Sequence, residues 1–495
     1  MSDEQRGVVF PAGPDGRRST GALGRAVVAD ALRPVDPAGA LAAEHETSWR
    51  SGYLPHFRRL VEAGLASRSA ALDIAAAGLA SLHSRMRVAP AETDLGDLLT
   101  APAGRPLATV EVPGAEPPEK ELTLPYRGDR LRGDALARRL DAWVAAGIVE
   151  PSAAEAVRTV QANPDWLRLP DHTVVVLGAG AEIGPLPPLL RWGARVAAVD
   201  LDRPAIWERV LGLRSAGTLL PPVPADAPPP GDGPAPAAGD ALPLARRVGA
   251  DLVAEVPAVA DWLAGLPGGL MLGNYVYADG AANVRVSTAV DALTVRLQQA
   301  RADVALAFLA TPTDVFAVPA QAVEHSVRGY ADRSVAAKLL GRPLRTLSAG
   351  RLLRRGYLPG ADPGVNDSLV AQQGPNYALA KRLQRWRATV ARDAGATVSL
   401  NVAPPTRTRS VLKNRALAAA YAGAHRFGVE AFEPGTTTVL MAALLVHDLH
   451  VPVTHPHPWQ DEAHAAVHGG LWRAPYAPRS ALGLAALLGY GAARG

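Results

Sequence analysis

Gly178, Gly180 and Gly184 stand as G-x-G-x-x-x-G, one residue longer than the G-x-G-x-x-G dinucleotide fingerprint, directly after the apolar run Thr173–Leu177 and before a helical stretch. Glycines at these places let the backbone turn tightly and approach a pyrophosphate, whose charge then rests on the N-terminus of the following helix. Twenty-two positions after Gly178 the next apolar run ends in Asp200, where a carboxylate accepts hydrogen bonds from a ribose diol. A carboxylate there also repels a 2′-phosphate, which favours NAD over NADP, although Arg203 nearby can compensate. A methyltransferase binding S-adenosylmethionine wants the same loop and acid, and a purely structural turn shows the same pattern. The loop alone does not separate the three. Further along, Tyr377 and Lys381 lie four apart in a helical segment and so share one face. Six histidines gather between His447 and His468, and His464 and His468 have the spacing of two metal ligands, with Asp461 near enough in sequence to join them. His455-Pro-His457-Pro is turn-rich, however, and spacing sets no further ligand. These read as surface and structural histidines, able to line a substrate entrance, and no metal is expected.

These groups need elements to hold them. Residues 173–200 read as strand, glycine loop, helix and strand, and further strands are predicted at Ala250–Val256, Gly269–Tyr277 and Ala302–Leu309. Strands alternating with helices predict an α/β fold, a Rossmann-like doubly wound parallel sheet over residues 166–455. Residues 221–243 (PPVPADAPPPGDGPAPAAGDALP) cannot pack a core and read as an insertion loop. Ahead of the sheet, residues 1–40 are a loop-like lead-in. Helical blocks follow from His45 to Met86 and from Leu131 to Asn163, with a proline-rich stretch between them. The two blocks share an Arg-Arg-Leu start and glycine stops at Gly64 and Gly147, with Ser69 or Ser152 placed to cap the next helix. A duplicated helical pair in an all-α N-terminal domain, residues 1–165, is the reading. Residues 456–495 form a C-terminal extension.

GPNYALAKRLQRWRA, carrying Tyr377 and Lys381, is followed by ATVSLNVAPPTRTRSV, a strand running into Asn401-Val-Ala-Pro404-Pro-Thr406-Arg-Thr408. Together these segments resemble the short-chain dehydrogenase/reductase family, with its Tyr-x-x-x-Lys helix and following Pro- and Thr-bearing loop. LGAGAEIG is similar to that family's glycine loop, with Gly178, Ile183 and Gly184 in place and Glu182 where glycine is usual. EPGTTTVLMAALLVHD resembles the helix before its seventh strand. The resemblance covers about Thr173 to Val453. The family's Asn-Asn-Ala-Gly is absent, and LGNYVYADG stands there with Asn274 as a partial echo. The strand that should end in the catalytic serine ends LATPTDV, so Thr311 or Thr313 takes its place, Thr313 lying 64 positions before Tyr377. A helical insertion over residues 320–372 accounts for that distance, and Ser368 falls inside it.

The resemblance implies hydride transfer between NAD or NADP and a carbonyl or secondary alcohol. Tyr377 would be the acid/base, Lys381 would lower its pKa and hold the nicotinamide ribose, and Thr311 or Thr313 would orient the carbonyl. Gly178, Gly180, Ile183, Gly184, Asp200, Asn274, Lys381, Pro404, Thr406 and Thr408 would hold the cofactor. The departures leave room for a nucleotide-binding regulatory or scaffold protein that has lost turnover.

Composition bounds the rest. At 495 residues the chain is long enough for two or three domains, and 48% hydrophobic with 20% charged residues is a globular balance. The absence of cysteine removes disulfides and thiolate chemistry. Fifty-one basic against 47 acidic residues leave +4, with no long basic arm, so no nucleic-acid partner is expected. Arg351, Arg354 and Arg355 read as a solvated face of the insertion. The polar start MSDEQRG lacks a signal core, and Val439–Val446 is too short to span a bilayer. A cytoplasmic homo-oligomer acting on a small molecule, without membrane partners, is the expectation.

Overall fold

The structure, a computed structural model, describes residues 6–226 and 241–491. Its centre is a seven-stranded sheet: β1 (Val112–Pro113), β2 (His172–Leu177), β3 (Arg195–Val199), β4 (Thr218–Leu220), β5 (Gly269–Asn274), β6 (Val304–Ala310) and β7 (Val398–Val402). The strands lie in the order β7-β6-β5-β2-β3-β4-β1. All neighbours are parallel except the short edge pair β4 and β1. Numbered among themselves, the six parallel strands read 3-2-1-4-5-6 from the β4 side.

Side chains alternate across a strand, so a strand covered on both faces reads as an unbroken apolar run. In β2, Val175 and Leu177 join one core and Val174 and Val176 the other, all fully buried. The first face is covered by helices Ala281–Ala300 and Gly374–Asp393, backed by Thr20–Leu32 and Arg68–Arg85. The second is covered by Leu186–Trp192 and Pro434–His450, backed by Pro151–Ala162.

This packing corrects the expectation of an all-α N-terminal domain. Residues 1–165 contain a three-stranded sheet (Gly7–Val9, Arg87–Ala89, Thr93–Asp94), and they lend β1 to the large sheet. The two similar helical blocks do not pair with each other. Trp49–Gly64 and Arg68–Arg85 pack on the Gly374–Asp393 helix, whereas Pro151–Ala162 packs on Pro434–His450 across the sheet. Gly64 does end its helix, but the next is capped by Ser67, whose hydroxyl accepts from the Ala70 N–H at 3.0 Å. Glu150, not Ser152, holds the cap position of Pro151–Ala162.

Two strand assignments also change. Ala250–Val256 is a turn: the Asp251 carboxylate accepts from the Val253 N–H and the Glu255 carboxylate from the Asp251 N–H, both at 2.8 Å. The third parallel strand is Thr218–Leu220 instead. Of the expected loop 221–243, residues 227–240 lie outside the described residues. Pro222–Pro224 is a strand paired antiparallel with Leu107–Thr109, and a helix begins at Ala241. The helix Pro434–His450 forms as expected, but among the described residues no strand of the sheet follows it.

The insertion 320–372 is helical at first, with Ala320–Ala331 and Val335–Leu347. Gly364–Asp367 then returns to pair antiparallel with Val315–Val318. That two-stranded staple closes the excursion at its base, so the chain re-enters the fold beside the end of β6.

Candidate functional site

The C-terminal ends of β2, β3, β5, β6 and β7 open into a cleft of about 1940 Å³. On its β2–β3 side, Gly178 takes φ +82° and its N–H donates to the Val199 carbonyl at 2.8 Å. A Cβ there would sit 3.0 Å from the Tyr275 carbonyl oxygen, so both backbone conformation and space require glycine. The Gly180 N–H donates to Asp200 Oδ2 and the Leu201 N–H to Oδ1, each at 2.8 Å, while Arg209 donates to the Gly180 carbonyl at 2.8 Å. Asp200 thus shapes the loop and still has acceptor capacity on both oxygens. Gly178, Gly180, Ile183, Asp200 and Arg203 line the cleft, whereas Gly184 stands behind it.

The helix after the loop departs from expectation. Leu186–Trp192 is short, and prolines occupy positions 185, 187 and 188, so its first turn lacks most of the N–H groups that would meet a phosphate. Cationic side chains in the same wall are Arg203, Arg209 and Arg409. Glu182 accepts from the Arg409 N–H at 3.0 Å and pairs with its guanidinium at 3.5 Å, tying the glycine loop to the segment after β7.

The opposite wall comes from the end of β6 and the helix Gly374–Asp393. Thr311, Thr313, Tyr377 and Lys381 all face the cleft despite their separation in sequence. The hydroxyls of Thr311 and Thr313 are 2.9 Å apart, and Gln373 Nε2 donates to Thr313 at 2.6 Å. Burial pushes the Tyr377 phenol above its ordinary pKa, and a hydrogen bond with Thr311 works against that rise. Lys381 Nζ donates to the Leu309 carbonyl at 3.1 Å and to Gln384 Oε1 at 3.0 Å. Burial lowers this ammonium to about 8. The expected depression of Tyr377 by Lys381 is therefore not what the geometry gives. Desolvation acts on both groups, and two of the lysine's three donors are directed at other acceptors.

Asn274 lies behind Lys381, its Oδ1 accepting from Gln384 Nε2 at 3.3 Å, and it does not line the cleft. After β7, Pro404, Thr406 and Thr408 do line it. Thr406 is buried, donating to the Pro404 carbonyl at 2.9 Å with its oxygen 2.8 Å from that of Thr437. Thr408 caps the helix Arg409–Lys413. Ser368 also reaches the cleft from the insertion, with its hydroxyl donating to Asn366 at 2.5 Å.

Several residues with a part in this site escaped the sequence reading. Asp314, 2% exposed, accepts from Arg382 at 2.8 Å, from Arg385 at 2.7 Å and from the Val315 N–H at 2.7 Å. Arg385 also binds Glu462 through two bonds of 2.6 Å. This buried ion network locks the Thr311–Thr313 loop to the Tyr377 helix. Its signal was present in KRLQRWR, where basic residues occupy helix positions that also face inward. Tyr277, with its hydroxyl donating to Asp279 at 2.8 Å, packs edge-on against Tyr377, the ring centroids 6.2 Å apart.

His455 and His464 come together, their ring centroids 5.0 Å apart, whereas His468, the expected partner of His464, is held by Glu150. His468 is fully buried, with its Nε2 2.9 Å from Glu150, and His455 lies 2.9 Å from Asp461. Among the described residues there is no group of three His, Asp or Glu side chains arranged to hold a metal ion, and no helix is long and apolar enough to cross a membrane.

Comparison with protein-family models finds no match, and comparison with curated proteins finds none. Among solved structures, the chain is similar to the structure of a thiolation-reductase di-domain from an archaeal non-ribosomal peptide synthetase, at 12% identity and a TM-score of 0.28. The match covers 55% of this chain and 52% of that one, so the chain spans about half the length of that structure. So remote a likeness bears on neither fold nor activity.

Proposed function

We propose that this protein is a nicotinamide-dependent oxidoreductase of the short-chain dehydrogenase/reductase type, interconverting a carbonyl and a secondary alcohol on a Rossmann-like doubly wound sheet. One observation carries the reading: Tyr377, Lys381, Thr311 and Thr313 share a cleft with the glycine loop and Asp200. The strand order 3-2-1-4-5-6 supports it, because sheets of that order bind dinucleotides across the crevice at the strands' carboxyl ends.

The residues fit a dinucleotide at both ends. Asp200 has acceptors for a ribose diol, the bare Gly178 and Gly180 admit close approach, and Lys381 retains one donor toward the cleft. Arg203 and Arg209 supply the positive charge that the proline-started helix does not. A bound nicotinamide supplies or accepts the hydride. Tyr377, whose protonated form burial favours further, donates its hydroxyl proton to the carbonyl oxygen in reduction and takes it back in oxidation. Thr311 orients the phenol, and Gln373 fixes Thr313 beside it. Lys381, cationic below about 8, stabilises negative charge developing on the substrate oxygen.

A second reading, a methyltransferase using S-adenosylmethionine, is favoured by one feature: a loop carrying Glu182 and a helix started by prolines suits a ligand without phosphates. Thermal-shift and fluorescence titrations with NADH, NADPH and S-adenosylmethionine test both. Stabilisation by NADH, more strongly than by NADPH, is the expected result. Stabilisation by S-adenosylmethionine alone overturns the oxidoreductase.

A further inference from the structure

Beyond Tyr377 the cleft continues into a lobe that proton and hydride transfer do not use. Its walls are the helix Arg415–Gly423 with the turn Ala424–Phe427, and the helix Pro478–Gly489 from the far end of the chain. The helices meet backbone to backbone. A Cβ on Gly423 would lie 2.0 Å from the Ala485 carbonyl oxygen, and one on Gly489 would lie 2.0 Å from that of Ala419. The wall is therefore set by close contact, and it cannot slide inward to fill the space beside it.

What faces that space is apolar. Leu417, Tyr421, Phe427, Leu471 and Leu482 are half-buried and line the cleft, with the small side chains of Ala424 and Ala481 leaving room between them. Over residues 417–431 and 471–485, Arg479 is the one charged side chain among the described residues that lines the cleft, and it is held in an ion pair by Asp367. Tyr421 stands where the lobe meets the reacting groups. Burial raises its phenol above the ordinary value, and the neighbouring Tyr377 adds to the rise, so it remains a neutral donor. A concave apolar surface with a few polar groups at one end orients a ligand by its polar end and binds it by the rest.

We infer that this lobe seats a large hydrocarbon group of the substrate, which makes the substrate class a ketone or secondary alcohol bearing a long aliphatic or aromatic substituent. The inference rests on the oxidoreductase reading above for the carbonyl, and on the lobe alone for the hydrocarbon.

The test compares acetone with 2-decanone, using whichever dinucleotide stabilises the protein. kcat/KM for 2-decanone should exceed that for acetone by at least ~100-fold, because each added methylene in an apolar pocket contributes severalfold. Ala424→Phe, which fills the lobe, and Leu482→Asn, which makes it polar, should each lower that ratio at least ~10-fold. Equal turnover of the two ketones, or a ratio that neither variant changes, overturns the inference and leaves the oxidoreductase standing. If no dinucleotide binds, the oxidoreductase falls instead. The lobe is then judged by calorimetric titration of 2-decanone alone, as it is if neither ketone turns over. Saturable binding with a negative heat-capacity change, weakened by Ala424→Phe, supports it. No binding overturns it.

Discussion

Tyr377 and Lys381 owe their chemistry to what surrounds them more than to each other. The phenol is kept protonated by burial, and the ammonium is anchored on Leu309 and Gln384. Tyr377→Phe keeps the ring and removes the hydroxyl, so it should lower kcat at least ~100-fold while leaving the dissociation constant for NADH within about threefold. Steady-state kinetics on an active ketone, beside a fluorescence titration, checks this. A variant that keeps most of the rate would falsify the assignment of the proton donor. The lysine predicts a pH dependence of its own. Its folded pKa is lowered to about 8, so the cation is present below that value and lost above it. Turnover should fall as pH rises through about 8, and Lys381→Met should show a low rate without that limb. A wild-type profile flat to pH 10 would remove the lysine from the mechanism.

At the scale of elements, the site depends on joints between segments far apart in sequence. The Asp314–Arg382–Arg385–Glu462 network joins the end of β6, the Tyr377 helix and the C-terminal segment, and the strand staple Val315–Val318 with Gly364–Asp367 closes the insertion beside it. A second joint lies on the other face of the sheet. Glu150, which starts the helix Pro151–Ala162, accepts two bonds from Arg473 at 2.8 and 2.6 Å and one from His468 at 2.9 Å. Burial pushes this carboxyl up, but the bonds from Arg473 and His468 outweigh it and hold the pKa at about 2, against 4.5 when exposed. A carboxylate depressed on folding adds stability above its unfolded pKa, and that stability is lost as pH falls through the folded one. The contribution, about 3 kcal/mol at neutral pH by this linkage, should therefore disappear between pH 4.5 and about 2. Urea denaturation across that range should show a shallower pH dependence for Glu150→Gln, together with lower stability at pH 7. Parallel curves for variant and wild type would mean the joint carries no linked charge.

Considered whole, the molecule encloses its sheet with chain from both ends. Residues before 166 contribute β1, four α-helices in the first core and two in the second among the described residues, and a Cβ on Gly78 would collide with the Trp386 ring of the Tyr377 helix at 2.4 Å. So close a contact puts the N-terminal helices directly behind the proposed catalytic helix. A fragment of residues 166–495 would expose that apolar back and leave β4 an open edge, a pairing hazard. It should be insoluble or bind hydrophobic dyes without a cooperative melt, and adding residues 1–165 in trans during refolding should improve the yield. A soluble fragment melting cooperatively near the full chain's temperature would show that the N-terminal elements are accessory.

Local pattern alone identified the elements nearest the chemistry. The unbroken apolar run of β2, the glycines that turn after it, Asp200 at the end of β3, and the four-residue spacing of Tyr377 and Lys381 are all short-range, and the structure places them as strand, loop, strand end and helix face. Pattern failed where backbone form depends on partners. Thr218–Leu220 is a strand because β3 and β1 flank it, and Ala250–Val256 is a turn because Asp251 and Glu255 close on its own backbone. The burial of Arg382 and Arg385 was equally out of reach, since a basic residue on a helix reads as solvated until its buried carboxylates arrive from 314 and 462. Nor could spacing show that the similar helical blocks would part to opposite faces of the sheet. Only tertiary packing decides such matters, because the free energy of burying a helix face or an ion pair belongs to surfaces that sequence distance does not order.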